Sequence, residues 1–234
     1  MAGKLPGFCK AQGTMCLVLL IITLTAFRCE HEEPPQYQEF VFLLNLQINP
    51  KDSIIQKNDT LWITAEFNNN IYDFISSKTY ELTNFDFLST IGFFKLIGKQ
   101  IIFSDQPGAV ESFQFINSIG SISNLRDTFA DFTFSYSNGF YSCRVGVIPK
   151  TKGVFSINFL RPRNLDLTSV IKLSNTPEGI KVLPYYRTIY YVINNGQTNF
   201  ELYKKHCEAS SEILVTTDMI YYEQKGTFTF RVVD

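Results

Sequence analysis

Residues 129–160 read FADFTFSYSNGFYSCRVGVIPKTKGVFSINFL, and the fold class follows from them. Phe132, Phe134 and Tyr136 recur at every second position of Phe129–Tyr136, the period that places side chains on one face of a strand. Asn138-Gly139 follows, the dipeptide of a two-residue hairpin, whose central positions need positive φ. Phe140–Ile148 is the returning strand, and Pro149–Gly153 turns the chain again. In Val154–Leu160, Phe155, Ile157 and Phe159 share one face while Val154, Ser156 and Asn158 share the other. Three strands joined by two short turns predict an antiparallel meander.

Working outward, the same signals repeat. Glu39–Asn49 (EFVFLLNLQIN) predicts a strand, ended by a turn at Pro50 and Asp52. In Asn58–Phe67, Leu61, Ile63, Ala65 and Phe67 alternate with Thr60, Trp62, Thr64 and Glu66, and Asn68–Asn70 closes the element. Residues 71–97 carry apolar side chains at both spacings and leave short helices and extended segments equally open. Strands are expected at Lys99–Phe103 and Ala109–Ile116, around the turn Asp105-Gln106-Pro107-Gly108, and a loop at Ser118–Arg126. Tyr185–Val192 is strand-like and ends at Asn194-Asn195-Gly196. In Thr198–Ser210, Phe200, Tyr203 and Cys207 fall at helical spacing, predicting a short helix. Met219–Glu223 and Thr227–Val233 then read as a terminal hairpin. The expected architecture is all-β, a β-sandwich-like domain over residues 39–234 with a short C-terminal helix before a final hairpin. The polar stretch 161–178, with Pro162 and Pro177, is where two small subdomains would divide.

Composition bounds the function. Of 234 residues, 45% are hydrophobic and 15% aromatic, enough apolar surface to exclude a disordered chain. A formal net charge of -1 is contrary to a nucleic-acid binder, which carries a basic excess.

The first residues differ from the rest. Lys4 and Lys10 open the chain, Met15–Phe27 (MCLVLLIITLTAF) is a short apolar run, and no acid precedes Glu30. This is the pattern of a secretory signal, too short for a spanning helix of about 20 residues. The run leads to Cys29, followed by Glu30, His31, Glu32, Glu33, Pro34 and Pro35. An apolar run ending at Cys and followed by acids resembles the signals of exported Bacteroidetes lipoproteins. Arg28 and Ala26 stand where such signals usually carry a small residue and a Leu. The resemblance implies removal of residues 1–28, lipid attachment at Cys29, and Glu30, Glu32 and Glu33 as an export signal to the outer face of the outer membrane. Residues 29–38 would be a flexible acidic tether. The remaining 206 residues carry 18 basic and 22 acidic side chains, a formal charge of -4.

With Cys9 and Cys16 lost with the signal and Cys29 acylated, Cys143 and Cys207 remain, and an exported chain can keep a bridge between them. Two buried thiols that never meet is the other reading. No EF-hand loop, phosphate-binding glycine pattern or histidine cluster is present, so no metal or cofactor is expected. His206 and tether-borne His31 are the two histidines, and no G-x-S-x-G elbow accompanies them. Glu66, Asp73, Glu81, Asp86, Glu111, Asp127 and Asp131 are the acids from which a glycosidase-like pair would be drawn. Tyr186 and Tyr190 share a strand face and are candidates for an exposed surface that recognises a glycan or a protein. Asp52-Ser53-Ile54 and Asp59-Thr60-Leu61 resemble the O-glycosylation signal of Bacteroidetes exported proteins, with Ser53 and Thr60 as acceptors. The leading reading is a lipid-anchored outer-membrane or cell-surface protein of binding or structural type, held by its lipid to the membrane. An exported carboxylate-dependent hydrolase and an accessory subunit of a surface complex are the alternatives.

Overall fold

The computed structural model describes residues 36–38, 41–87, 89–98, 105–160, 180–182, 189–207 and 220–234. The signal segment, Cys29, Glu30, Glu32, Glu33, Tyr186, the strand expected at Lys99–Phe103 and the stretch 161–178 lie outside these residues. The strands in chain order are β1 (Gln36–Gln38), β2 (Phe42–Asn49), β3 (Ile54–Gln56), β4 (Leu61–Asn68), β5 (Asn70–Asp73), β6 (Lys78–Glu81), β7 (Ser89–Lys95) and β8 (Phe113–Ile119). They continue with β9 (Ser121–Ser123), β10 (Phe129–Thr133), β11 (Ser135–Ser137), β12 (Phe140–Pro149), β13 (Gly153–Leu160), β14 (Ile180–Val182), β15 (Ile189–Ile193) and β16 (Thr227–Val233). Among the described residues, one α-helix, α1 (Phe200–His206), stands where the Phe200, Tyr203 and Cys207 spacing predicted it. The end of the expected tether, Gln36–Gln38, is the short strand β1.

Two sheets form the sandwich. The smaller has the order β3-β16-β13-β7-β10-β9; the larger runs β11-β12-β4-β2-β5-β6, with β15 added parallel to β2 and β8 added to β12. Strands from both sides of 161–178 share these sheets: β15 pairs β2, and β16 pairs β13. The alternation of β4 is realised, with Leu61 and Ile63 buried and Trp62 and Thr64 half-buried. The core fills from both inner faces: Leu44, Leu46, Ile48, Ile63, Val145 and Val147 from one sheet, Ile91, Phe93, Phe155, Ile157, Phe228 and Phe230 from the other. Each such side chain contributes about 1.5–3 kcal/mol by leaving water.

The Asn138-Gly139 hairpin forms as read, with φ of 51° and 80° and β11 paired to β12 through Ser137↔Phe140. The meander does not. β12 already has β4 on one side and β8 with β11 on the other, so β13 has no vacancy beside it. The Pro149–Gly153 turn instead carries the chain into the smaller sheet, where β13 lies between β7 and β16. Phe129–Tyr136 also divides, β10 belonging to the smaller sheet and β11 to the larger. β8 and β9 make the same crossing at Gly120 (φ 67°), where an added Cβ would overlap the Thr133 carbonyl oxygen. The predicted loop at 118–126 therefore contains β9, and the strand expected at Ala109 begins at Phe113, after a 3-10 turn at Val110–Ser112. The ambiguous segment 71–97 is extended, supplying β5, β6 and β7.

The final hairpin is absent for the same reason of occupancy. β16 pairs β13 on one side and β3 on the other, leaving no edge for Met219–Glu223. Residues 220–224 instead form one π-helical turn, closed by Lys225 N–H donating to Ile220 O at 2.9 Å.

Candidate functional site

Tyr141, at the start of β12, organises a cleft at the side of the sandwich. Its hydroxyl donates to Leu82 O and accepts from Phe85 N–H, both at 2.6 Å, fixing the loop that leads from β6 towards β7. Asn84, at φ 49°, bends that loop so that Phe85 and Phe87 pack edge-to-face, 4.9 Å between centroids. The opposite wall is the β10–β11 crossing, which supplies Phe132, Thr133, Phe134 and Tyr136. The cavity between them measures about 280 Å³.

Its walls are a continuous set of ring contacts. Tyr141 meets Tyr136 at 4.6 Å and Phe87 at 4.9 Å, and stacks on Phe67 at 5.4 Å with 23° between planes. Phe87 meets Phe134 at 5.7 Å, and Phe134 meets Phe132 at 5.1 Å. Phe85, Phe134 and Tyr136 are half-buried, so part of each ring remains open to an occupant, while Asn84, Asp86 and Thr133 form an exposed polar rim. Burial raises the Tyr141 phenol above its ordinary range, opposed by the Phe85 amide and reinforced by Tyr136. Tyr141 is therefore a neutral hydrogen-bonding group at physiological pH. The arrangement suits a ligand with a flat apolar face and hydroxyls at its margin. Among the described residues its lining carries one carboxylate, Asp86, where a glycosidase-like mechanism needs two.

The other acids are committed elsewhere or lie apart. Asp73 is wholly buried and accepts from Val41 N–H at 2.6 Å, Ser76 N–H at 2.8 Å and Ile75 N–H at 3.4 Å. Glu81 accepts from Asn69 and Thr83; Asp131 accepts from Asn124 and pairs with Arg126 at 2.7 Å. Glu66, Glu111 and Asp127 are exposed and line no part of the cleft. Among the described residues, no three His, Cys, Asp or Glu side chains gather as a metal site. His206 lies 3.2 Å from Arg231, and desolvation first, then Arg231 and Lys205, lower its pKa.

Cys143 and Cys207 are both buried free thiols, not a disulfide. Cys143 faces the core between the sheets. Cys207 follows α1 into a second cluster with Phe94, Leu96, Val154 and Tyr203. Phe94 and Val154 alternate with Phe93 and Phe155, so that cluster covers the outer face of the smaller sheet. The sheet itself separates the two sulfurs.

Tyr190 is buried, 5% exposed, and stacks on Tyr221 at 5.4 Å, so it offers no open recognition surface. The parallel pairing of β15 with β2 and the 220–224 turn cover it. Ser53 is exposed, and Thr60, just before β4, is half-buried. The cleft was missed in sequence because its rings come from separate stretches, Phe85–Phe87, Phe132–Tyr136 and Tyr141, backed by Phe67. Phe-Asp-Phe at 85–87 was its one local signal.

The fold defines the chain as an all-β sandwich-like protein with an aromatic side cleft. No family model and no curated protein sequence matches the chain. Among solved structures it is similar to the human F-spondin reeler domain, at 11% identity and a TM-score of 0.28, over 66% of this chain and 98% of that one.

Proposed function

We propose that the chain is an exported lipoprotein, anchored through Cys29 to the outer membrane and displayed at the cell surface. Its sandwich acts there as a glycan-binding module. The observation that carries the binding role is the aromatic cleft: half-open rings of Phe85, Phe134 and Tyr136 beneath a rim of Asn84, Asp86 and Thr133. A sugar ring presents apolar C–H groups to such faces and hydroxyls to such a rim. The support for the anchor is the apolar run ending at Cys29 and the acids that follow.

Two measurements test the reading. Intact mass of the membrane-extracted protein is expected to start at Cys29 with acyl chains attached, and Cys29→Ser to lose them. Screening the same protein on a glycan array, then titrating the hits, is expected to give binding that Tyr136→Ala weakens by about ten-fold or more. Binding indifferent to Tyr136→Ala, or no glycan bound at all, would remove the glycan role.

The reading of an accessory subunit has its own observation. β8 borders β12 on one side, and Gln114, Ile116, Asn117, Ser118 and Ile119 are exposed along it. An edge of this kind can take a strand from a partner. A crosslink from Asn117 to another envelope protein in cells would favour that reading over the glycan.

A further inference from the structure

We infer that the turn of the β5–β6 hairpin is a lipid-contacting tip that seats the sandwich on the bilayer carrying its anchor. The inference rests on the lipid anchor at Cys29 proposed above. Val41, just before β2, donates its N–H to Asp73 Oδ1 and accepts from Phe74 N–H at 2.8 Å. The chain that comes from Cys29 is first paired at β1 with β14 and then enters the sandwich beside this turn. Eleven residues lie between Cys29 and Val41, a reach of at most roughly 40 Å. The hairpin turn thus adjoins the place where the anchored chain enters β2.

The turn exposes three large apolar side chains beside Ser77 and Lys78. Tyr72, Phe74 and Ile75 are 48%, 44% and 53% exposed, within four consecutive residues. The acid among them, Asp73, is buried, and the turn is closed by exposed Lys78. Phe74 meets Tyr221 at 6.1 Å, and Lys225 Nζ lies 4.5 Å from the centre of the Tyr221 ring. Aromatic rings and an isoleucine flanked by lysines match the boundary between acyl chains and anionic headgroups, where rings sit and ammonium groups reach phosphate. Among the described residues, the other exposed large hydrophobics, Ile54, Ile97, Ile116, Ile119, Leu125 and Phe140, are spread over five other places in the chain. A small apolar contact suffices here, because an attached anchor makes it an intramolecular event at high effective concentration.

The test places an indole at the tip. Full-length Phe74→Trp, with Ile75→Trp as a second probe, is reconstituted in vesicles of phosphatidylethanolamine and phosphatidylglycerol with acyl chains brominated near the headgroup. Native Trp62 is the internal control: it pairs with Asn49, seven residues further along β2 than Phe42, which pairs with Asp73. That is roughly 23 Å of strand. The expected result is loss of emission from the introduced indole with Trp62 emission retained. Emission from both probes unchanged by bromine overturns the tip. Intact mass of the same sample separates the causes: acylated protein with unquenched probes removes the tip alone, and unacylated, unquenched protein removes the anchor as well.

Discussion

Changing Tyr141 to Phe removes one oxygen and leaves the ring packed on Phe67, Phe87 and Tyr136. Two hydrogen bonds of 2.6 Å are lost, one to Leu82 O and one from Phe85 N–H. Leu82 is 2% exposed, so its carbonyl is left without that donor in a dry place; Phe85 is half-buried and its amide recovers water in part. A stranded buried group costs about 1–3 kcal/mol and a hydrogen bond exchanged for water about 0.5–1.5, which sums to about 1.5–4.5 kcal/mol here. For a domain near 200 residues, with a urea m-value of about 2.5 kcal/mol/M, the unfolding midpoint falls by about 1 M. The measurement is urea unfolding of both proteins by tyrosine and tryptophan fluorescence, with m compared. The loop from β6 to β7 should also become the first site of protease cleavage. A midpoint shift below about 0.2 M at unchanged m would refute the view that this hydroxyl holds the cleft wall.

Four more outcomes follow from the same geometry. Asp73→Ala strands the amides of Val41 and Ser76 and should destabilise by about 2–4 kcal/mol in urea unfolding; a loss below about 1 would remove its role in tying β2 to the hairpin turn. Burial pushes the Cys143 thiol up from 9.0 to about 12, so the folded state keeps a proton that the unfolded chain releases. Stability should therefore be complete below pH 9 and fall as pH rises towards 12, with Cys143→Val flattening that limb; a limb identical in both proteins would contradict the assignment. Both thiols should resist alkylation at pH 8 until the protein is denatured, with no change in mass or midpoint on adding reductant. Gly120→Ala forces a side chain against Thr133 O at a left-handed position, and should cost about 2 kcal/mol or more in unfolding free energy, against the few tenths of a surface change.

Sequence alone determined what depends on neighbouring residues. Alternation in β4 and β13 gave their two faces, Asn138-Gly139 gave the hairpin, and the Phe200, Tyr203 and Cys207 spacing gave α1. Each is settled by side-chain period or by local φ, which a short window contains. Tertiary structure decided which strands lie side by side. Period two says which residues share a face and is silent about the sheet or the edge on which a strand finds its hydrogen bonds. So β13 left the expected meander because both sides of β12 were taken, and the final hairpin failed because β16 was already paired twice. The same pairings put one sheet between Cys143 and Cys207, covered Tyr190, and gathered six rings into a cleft from three separate stretches of chain. Those arrangements rest on contacts between residues tens of positions apart, formed only once both sheets have closed on the core.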